Sequence, residues 1–382
     1  MAKNKAQLGQ FFTTNADAVL RGFEPFVAGK AVTDPFAGNG DLLRWAKKNG
    51  AKSVKGYDIA PACIDNKTVF ENDSLKTPQA YDFVVTNPPY LYQNKMADNS
   101  LLTRSKHTDL YQLALEKLTN SRAGIVIVPI NFLSAQNARY IRRTFFERFA
   151  VKRAVYFTQQ VFADTTYNVI ALYYEKKPAK TDSLAFDLII EPQGNLLPVS
   201  LQKQFDWQIG GEFLSAVNST PNRLKIGRIE QSDVTAGSIE THIALNHSDN
   251  RQTAFVSPET AELFARNIVV LKAIDTGTES GKIRLEDRRT YGIDALISLK
   301  TSRNQIELLF PESVSVAEQE RLITAFNTVL NKARERYFSL FMTNFRDHDR
   351  KRVSFGFVYR LLNALYFSKI NGYAEQKRGK HG

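Results

Sequence analysis

Short apolar runs that close on an acid or a proline alternate with amphipathic stretches along the first part of the chain. Ala31-Val32-Thr33 runs into Asp34, and Ser53–Ile59 carries Asp58 near its end. Tyr81–Val85 meets Pro88 and Pro89, and Gly124–Val128 exits at Pro129. Each reads as a strand, because aromatic and β-branched residues dominate it. Between them, Asp41–Lys48 and Asp109–Leu118 have helical spacing, with Asp41 in the first turn of its helix. This alternation predicts an α/β fold. The pattern changes at Glu175–Ser183, a polar, proline-bearing stretch that reads as a linker. Beyond it Leu184–Ile190 reads as a strand, and later segments mix short strands with loops. Ala317–Ala333 has apolar residues at helical spacing, and Val353–Tyr366 is a partly buried segment. The expected organisation is a first domain over 1–180 and a second, α+β domain over 184–382 with a helical carboxyl end.

The candidate chemistry centres on Asn87-Pro88-Pro89-Tyr90. Prolines lack an N–H and have a fixed φ, so the chain must leave the sheet there. The resulting loop stands at a strand's carboxyl end, where open α/β sheets place their ligands. It offers one amide side chain, carbonyls with no helix to satisfy them, and one aromatic face. An exocyclic amino group on a planar heterocycle needs that set: two acceptors for its hydrogens and a flat surface to stack on. Upstream, Asp34-Pro35-Phe36-Ala37-Gly38-Asn39-Gly40 is a glycine-rich turn leading into a helix, where the backbone can pass close to a ligand. The spacing is not the dinucleotide fingerprint, and the lysine of a phosphate-cradling loop is missing. Asp58, at the tip of the second strand, is well placed to accept from ribose hydroxyls. Asp73 sits where a third strand should end. Strand-tip acids without phosphate-binding chemistry point to an adenosine cofactor that carries no pyrophosphate.

In this order, these residues resemble the gamma class of N6-adenine DNA methyltransferases, in which the catalytic half precedes the target-recognition half. Gln7–Thr14 is similar to the family's amino-terminal motif, with Thr14 where proline is common. Asp34-Pro35-Phe36 resembles its acid-Pro-Phe tripeptide, and Val161–Tyr174 resembles the final hairpin of its sheet. The likeness extends through about residue 175 and only loosely beyond. It implies a Rossmann-like, seven-stranded methyltransferase sheet, mostly parallel with one reversed edge strand. It also implies S-adenosyl-L-methionine as cofactor. Thr13 would hold the methionine carboxylate end, Asp34 the amino group, Asp58 the ribose and Asp73 the adenine amino group. Gly38 and Gly40 would allow close approach, and Phe36, Ile59, Ser74 and Pro89 would complete the pocket. Asn87 and the Pro88 carbonyl would hold the target amino group, with Tyr90 and Phe162 as the two faces of the slot for a flipped base. Taken alone, Phe162 reads as a core aromatic; the collinear match assigns it to the clamp. An N4-cytosine enzyme usually carries serine in place of Asn87, so adenine is the expected base.

Composition fits this reading. The chain has 382 residues, 43% hydrophobic, enough for two cores, and a net charge of +12 that suits a polyanionic partner such as double-stranded DNA. Cys63 is the single cysteine, so no disulfide framework forms and a cytoplasmic home is expected. Five histidines form no cysteine/histidine cluster, so no metal is expected. The polar amino terminus does not resemble a signal peptide, and no apolar run approaches the ~20 residues of a membrane span. A monomer is expected, and the resemblance covers both restriction-modification enzymes, in which a cognate restriction endonuclease would be a partner, and orphan or phage enzymes. Lys282, Arg284, Arg288 and Arg289, after a turn at Thr276-Gly277-Thr278, and Arg346, Arg350, Lys351 and Arg352 fit a DNA-reading role, and each cluster reads equally as a solvated face. Asn246, His247 and Tyr291 are candidates for base contacts. Three rival readings share features of this chain. Glutamine methyltransferases of release factors have the same tetrapeptide but begin with a helical domain. Adenine methyltransferases acting on RNA use related tetrapeptides, and basic charge suits either nucleic acid. A non-catalytic binding module is opposed by the intact Asn87, Tyr90, Asp34, Asp58 and Phe162.

Overall fold

The computed structural model describes residues 13–162, 167–275, 281–302, 304–344 and 350–367. These divide into two compact units, one running to Gly211 and taking in Thr343–Asn344, the other made of the rest from Glu212 onward.

The first unit is built on nine strands: β1 (Ala31–Asp34), β2 (Ser53–Asp58), β3 (Val69–Glu71), β4 (Phe83–Thr86), β5 (Ala123–Pro129), β6 (Phe149–Phe157), β7 (Val169–Lys176), β8 (Ser183–Glu191) and β9 (Asn195–Gln202). Their order across the sheet is β3-β2-β1-β4-β5-β7-β6-β8-β9. Strands β3 to β5 are mutually parallel across β2, β1 and β4. The seven expected strands are therefore present, with two differences. The reversed strand, β7, lies inside the sheet, antiparallel to both β5 and β6. In addition, β8 pairs in parallel with β6, and β9 returns antiparallel along β8. The polar stretch after β7 thus carries the chain back onto its own sheet. Leu188 and Ile190 of β8, with Val199 and Leu201 of β9, are buried there, and the apolar face they form requires a covered position beside β6.

Helices cover the sheet. In α1 (Asp41–Lys48), Leu42, Leu43, Trp45 and Ala46 face inward, while Asp41 and the pair Lys47 and Lys48 occupy the ends that suit the helix dipole. In α2 (Leu110–Lys117) the cap is Asp109, whose carboxylate accepts from the Tyr111 amide at 3.5 Å. Around α3 (Arg139–Arg148), Phe145 and Phe146 pack with Phe132, Phe149 and Tyr174 in a chain of edge-to-face and tilted rings.

The second unit is α+β. One four-stranded sheet joins Gly227–Arg228, Gln305–Leu309, Val269–Lys272 and Arg284–Asp287, and a three-stranded sheet joins Arg251–Val256, Ala236–Leu245 and Ala295–Ile297. Two carboxyl-terminal helices, α4 (Val316–Tyr337) and α5 (Phe355–Tyr366), bury Leu322, Phe326, Leu330, Val358, Leu361 and Leu362 against the first of these sheets. Ser315 and Glu318 form a capping box that starts α4.

Candidate active site

Strand order reverses at β1, whose neighbours β2 and β4 lie on opposite sides, so a crevice opens at their carboxyl ends. Two sequence features meet across it. The Thr86 hydroxyl, at the end of β4, donates to the Asp34 carboxylate at the end of β1 at 2.6 Å. The Phe36 amide donates to the same Asp34 oxygen at 3.0 Å. Asp34 is nonetheless fully buried. Desolvation pushes its carboxyl up to about 7, against those two hydrogen bonds and reinforced by nearby Asp58.

The turn after β1 takes left-handed conformations at Gly38 (φ 51°) and Gly40 (φ 76°), which a side chain would strain. Gly40 caps α1. The turn is tied to β2: the Ala37 amide bonds the Tyr57 carbonyl, and the Gly38 amide donates to Asp58 Oδ2, both at 2.8 Å. Asp58 Oδ1 accepts from the Ala60 amide at 2.8 Å. These bonds fix the carboxylate at the strand tip. Asp73 accepts from the Leu75 and Lys76 amides, and its second oxygen lies 3.2 Å from the Lys76 ammonium.

A cavity of about 380 Å³ occupies this end of the sheet. Of the expected pocket residues, Phe36, Gly38, Asp58, Ile59, Asp73, Ser74 and Pro89 line it, and so does Asn87. Thr13, Asp34, Gly40, Pro88, Tyr90 and Phe162 are not part of that wall. Thr13 stands behind Asn87, accepting from its amide nitrogen at 3.1 Å. Residues 1–12, with the rest of the amino-terminal motif, lie outside the described residues. Tyr90 is buried (1% exposed), and its ring meets Tyr111 and Tyr167 edge-on. Its hydroxyl reaches both the Asn87 side-chain oxygen and the Ile127 carbonyl, the latter at 2.7 Å; one hydroxyl proton serves one of them at a time. The Asn87 amide is thus oriented from both ends, by Thr13 and by Tyr90. Phe162 is also buried (3% exposed), and its carbonyl accepts from Gln160 at 2.7 Å.

The cavity has a wall that the sequence reading missed, Met96, Asp98 and Leu101 on the chain that follows Tyr90, joined by Leu110 at the start of α2. The available signal was the scatter of Leu91, Met96, Leu101 and Leu102 through a polar stretch, a small cluster that packs against Leu110 and Leu113. Among the described residues no group of histidine, cysteine and acidic side chains has the arrangement of a metal site. No described helix is long and apolar enough to cross a membrane.

Residues 40–162 match the family model of the Eco57I restriction-modification methylase. The matched stretch spans α1, β2 to β6, the Asn87 loop and Phe162, and starts after Asp34. No curated protein sequence matches the chain. Among solved structures, the chain is similar to a modification subunit of a putative type I restriction enzyme from Vibrio vulnificus, at 17% identity and a TM-score of 0.39 over 72% of this chain and 58% of that one. It is similar to the M protein of the type I enzyme EcoKI at 18% identity and a TM-score of 0.37, covering 49% of this chain and 50% of that one. A third likeness, to the type IIG restriction endonuclease BpuSI, has 10% identity and a TM-score of 0.40 over 89% of this chain and 58% of that one. The chain therefore spans between half and three-fifths of the length of each of these proteins.

Several second-unit candidates turn out to be structural. Arg288 is buried: its guanidinium pairs with buried Glu307 at 2.9 Å and donates to the carbonyls of Phe264, Asn267 and Ile293. It has no exposed face to offer a phosphate, because strand Arg284–Asp287 ends with Arg288 pointing into the junction of both sheets. Arg289 is held by Asp287 and Glu320, and Arg284 by Glu286. The Tyr291 hydroxyl bonds Glu286, and the Asn246 side chain joins Thr301 to the Leu299 amide. His247 accepts from the Asp249 amide at 3.3 Å. Lys351 is buried, whereas Arg350 and Arg352 are exposed. The turn at 276–278 and Arg346 lie outside the described residues.

Proposed function

We propose that this chain is a site-specific DNA methyltransferase that transfers a methyl group from S-adenosyl-L-methionine to N6 of an adenine flipped out of double-stranded DNA. One observation carries the reading: Asn87 and Pro89 of the tetrapeptide loop and the acids Asp58 and Asp73 border a single cavity at the switch point of the sheet. The match of residues 40–162 to a restriction-modification methylase family supports it. The cavity's volume is that of a small-molecule site. Its donor and acceptor set also suits the cofactor. Asp58 would meet a ribose diol, Asp73 and Ser74 would meet an adenine edge and Phe36, Ile59 and Pro89 would cover its faces, while Asp34, outside the cavity wall, is assigned to the cationic amino-acid end. When bound there, the cofactor supplies an electrophilic methyl on a sulfonium.

The rest falls to the protein. Adenine's exocyclic nitrogen is a poor nucleophile, because its lone pair is delocalised into the ring. Acceptance of its two N–H groups by the Asn87 side-chain oxygen and the Pro88 carbonyl orients the nitrogen and favours the positive charge that develops on it, a gain specific to the transition state. The Thr13 and Tyr90 bonds hold the Asn87 amide in the required plane before substrate arrives. No strong base is required, since the methylated nitrogen is acidic enough to shed its proton. Extruding the base costs a few kcal/mol. Stacking on an aromatic face returns about 1–3 kcal/mol per base, the role assigned to Tyr90 and Phe162. Because Tyr90 is buried beside Tyr167, base entry must move Tyr167 off its edge. The second unit is assigned to target recognition.

A tritiated methyl-transfer assay comparing plasmid DNA, RNA and a release factor tests the substrate class, followed by nucleoside analysis of the product. Label in N6-methyladenine from DNA is expected. Label chiefly in RNA, in protein or in N4-methylcytosine would refute the assignment.

A further inference from the structure

Of the second-unit cations that fit a DNA-reading role, Arg284, Arg288 and Arg289 are engaged by internal carboxylates, which leaves positive surface to be sought in the first unit as well. The chain between Tyr92 and Thr108 presents one. It leaves the Asn87–Tyr90 loop and closes on itself at its base: the Gln93 amide bonds the Thr108 carbonyl at 2.9 Å, Tyr92 bridges Asp109, and the Leu91 amide donates to the Asp109 carboxylate at 3.0 Å. Its underside is pinned. Leu102 packs with Leu91, Leu110 and Leu113, and the buried His107 ring sits 5.3 Å from Tyr140, with Nε2 3.1 Å from Glu116. Asn137 donates to the Thr108 hydroxyl at 2.9 Å. A loop held in this way can present side chains in fixed places.

What it presents is cationic. Lys95, Arg104 and Lys106 are exposed, against one acid, Asp98, which accepts from the Ser100 amide at 2.9 Å and whose carboxyl is held below its usual range by that bond and also by the charges of Lys76 and Arg104. None of the ion pairs among the described residues involves those three cations, in contrast to Arg284, Arg288 and Arg289. The Lys106 ammonium lies 4.9 Å over the Tyr140 ring, which holds it outward without neutralising it. The same segment walls the cavity through Met96, Asp98 and Leu101, so its cations are carried on the chain that joins the Asn87–Tyr90 loop to that wall.

We propose that Lys95, Arg104 and Lys106 grip the nucleic-acid backbone flanking the target base, so that the catalytic unit supplies phosphate contacts of its own. The proposal rests on the DNA methyltransferase reading above. Phosphate contacts orient a protein on the duplex without reading sequence, and each one releases counterions. The segment thereby links two tasks, fixing the duplex relative to the Asn87 loop and closing the cofactor cavity.

The test uses the full chain and a labelled plasmid-derived duplex, with binding followed by fluorescence anisotropy across a salt series. The neutralised variant Lys95→Gln/Arg104→Gln/Lys106→Gln should show a slope of log K against log salt shallower by about 0.9 per lost contact, and an affinity near 0.1 M salt weaker by up to about tenfold per contact. The charge-retaining variant Lys95→Arg/Arg104→Lys/Lys106→Arg should keep the wild-type slope, as should Arg289→Gln. Unchanged cofactor affinity by calorimetry reports an intact fold. A wild-type slope in the neutralised variant, or an equal loss in the charge-retaining one, overturns the proposal. A wild-type protein that binds DNA without salt dependence overturns instead the DNA reading on which it rests.

Discussion

Replacing Asp34 by asparagine tests how the buried acid at the switch point works. Burial holds its carboxyl at about 7, so near neutral pH the free protein carries a proton there half of the time. A cationic ligand beside a carboxylate lowers its pKa by about 1–3 units, so binding the ammonium end of S-adenosylmethionine should expel that proton. From a pKa of about 7, release at pH 6 should be about 0.4 proton per cofactor for a lowering of about 1 unit and about 0.9 for about 3 units, falling to about 0.4–0.5 at pH 7 and about 0.1 at pH 8. Apparent affinity should correspondingly weaken by about fivefold to tenfold between pH 8 and pH 6. Calorimetry in two buffers of different ionisation heat reads the proton count directly, from the dependence of the observed heat on the buffer. Asp34→Asn should remove both the buffer dependence and the pH dependence, while lowering affinity at pH 8, where the wild-type group is charged. The same group also affects the free fold. Its folded pKa lies above the unfolded 3.8, so its contribution to stability is complete below about pH 4 and is lost as pH rises through about 7. Denaturation midpoints of Asp34→Asn should therefore be flatter across that window. Proton release below about 0.2 at pH 6, or equal release by wild type and Asp34→Asn, would refute the argument.

Other substitutions separate the remaining roles. Asn87→Ala removes an acceptor that acts as charge develops, so turnover should fall about 10²–10³-fold with cofactor affinity unchanged; turnover near wild type in a single-turnover assay would exclude that role. Phe162→Leu keeps an apolar side chain but loses the ring, so 2-aminopurine at the target position should brighten. Unchanged fluorescence and turnover would return Phe162 to the hydrophobic core, where its burial already places its mass. Arg288→Ala leaves Glu307 buried and unpaired, a loss of about 3–5 kcal/mol by urea denaturation. The double variant Arg288→Met/Glu307→Leu should recover much of that stability, and a stable single variant would contradict the buried-pair account.

The local chemistry of the first unit was legible because the physics that makes it is local. An apolar run that meets an acid or a double proline can only be a strand that ends there, so Asp34, Asp58 and Asn87 could be set at strand tips before any contact was known. Glycines that must adopt positive φ marked the turn between β1 and α1. Partnership, by contrast, was decided in three dimensions. Whether a strand stands inside or at the edge depends on which neighbour has free backbone groups, so the inward place of β7 and the annexation of β8 and β9 were invisible in their own patterns. Side-chain charge tells the same story more sharply. Arg288 and Lys106 read alike in sequence, each a cation in a polar neighbourhood. Arg288 ends a strand that faces buried Glu307 and three backbone carbonyls, while Lys106 rides on Tyr140 at the surface. A charge is free to meet a phosphate only when the fold has not already placed a carboxylate beside it, and sequence spacing holds no record of residues that approach from nineteen positions away, as Glu307 does.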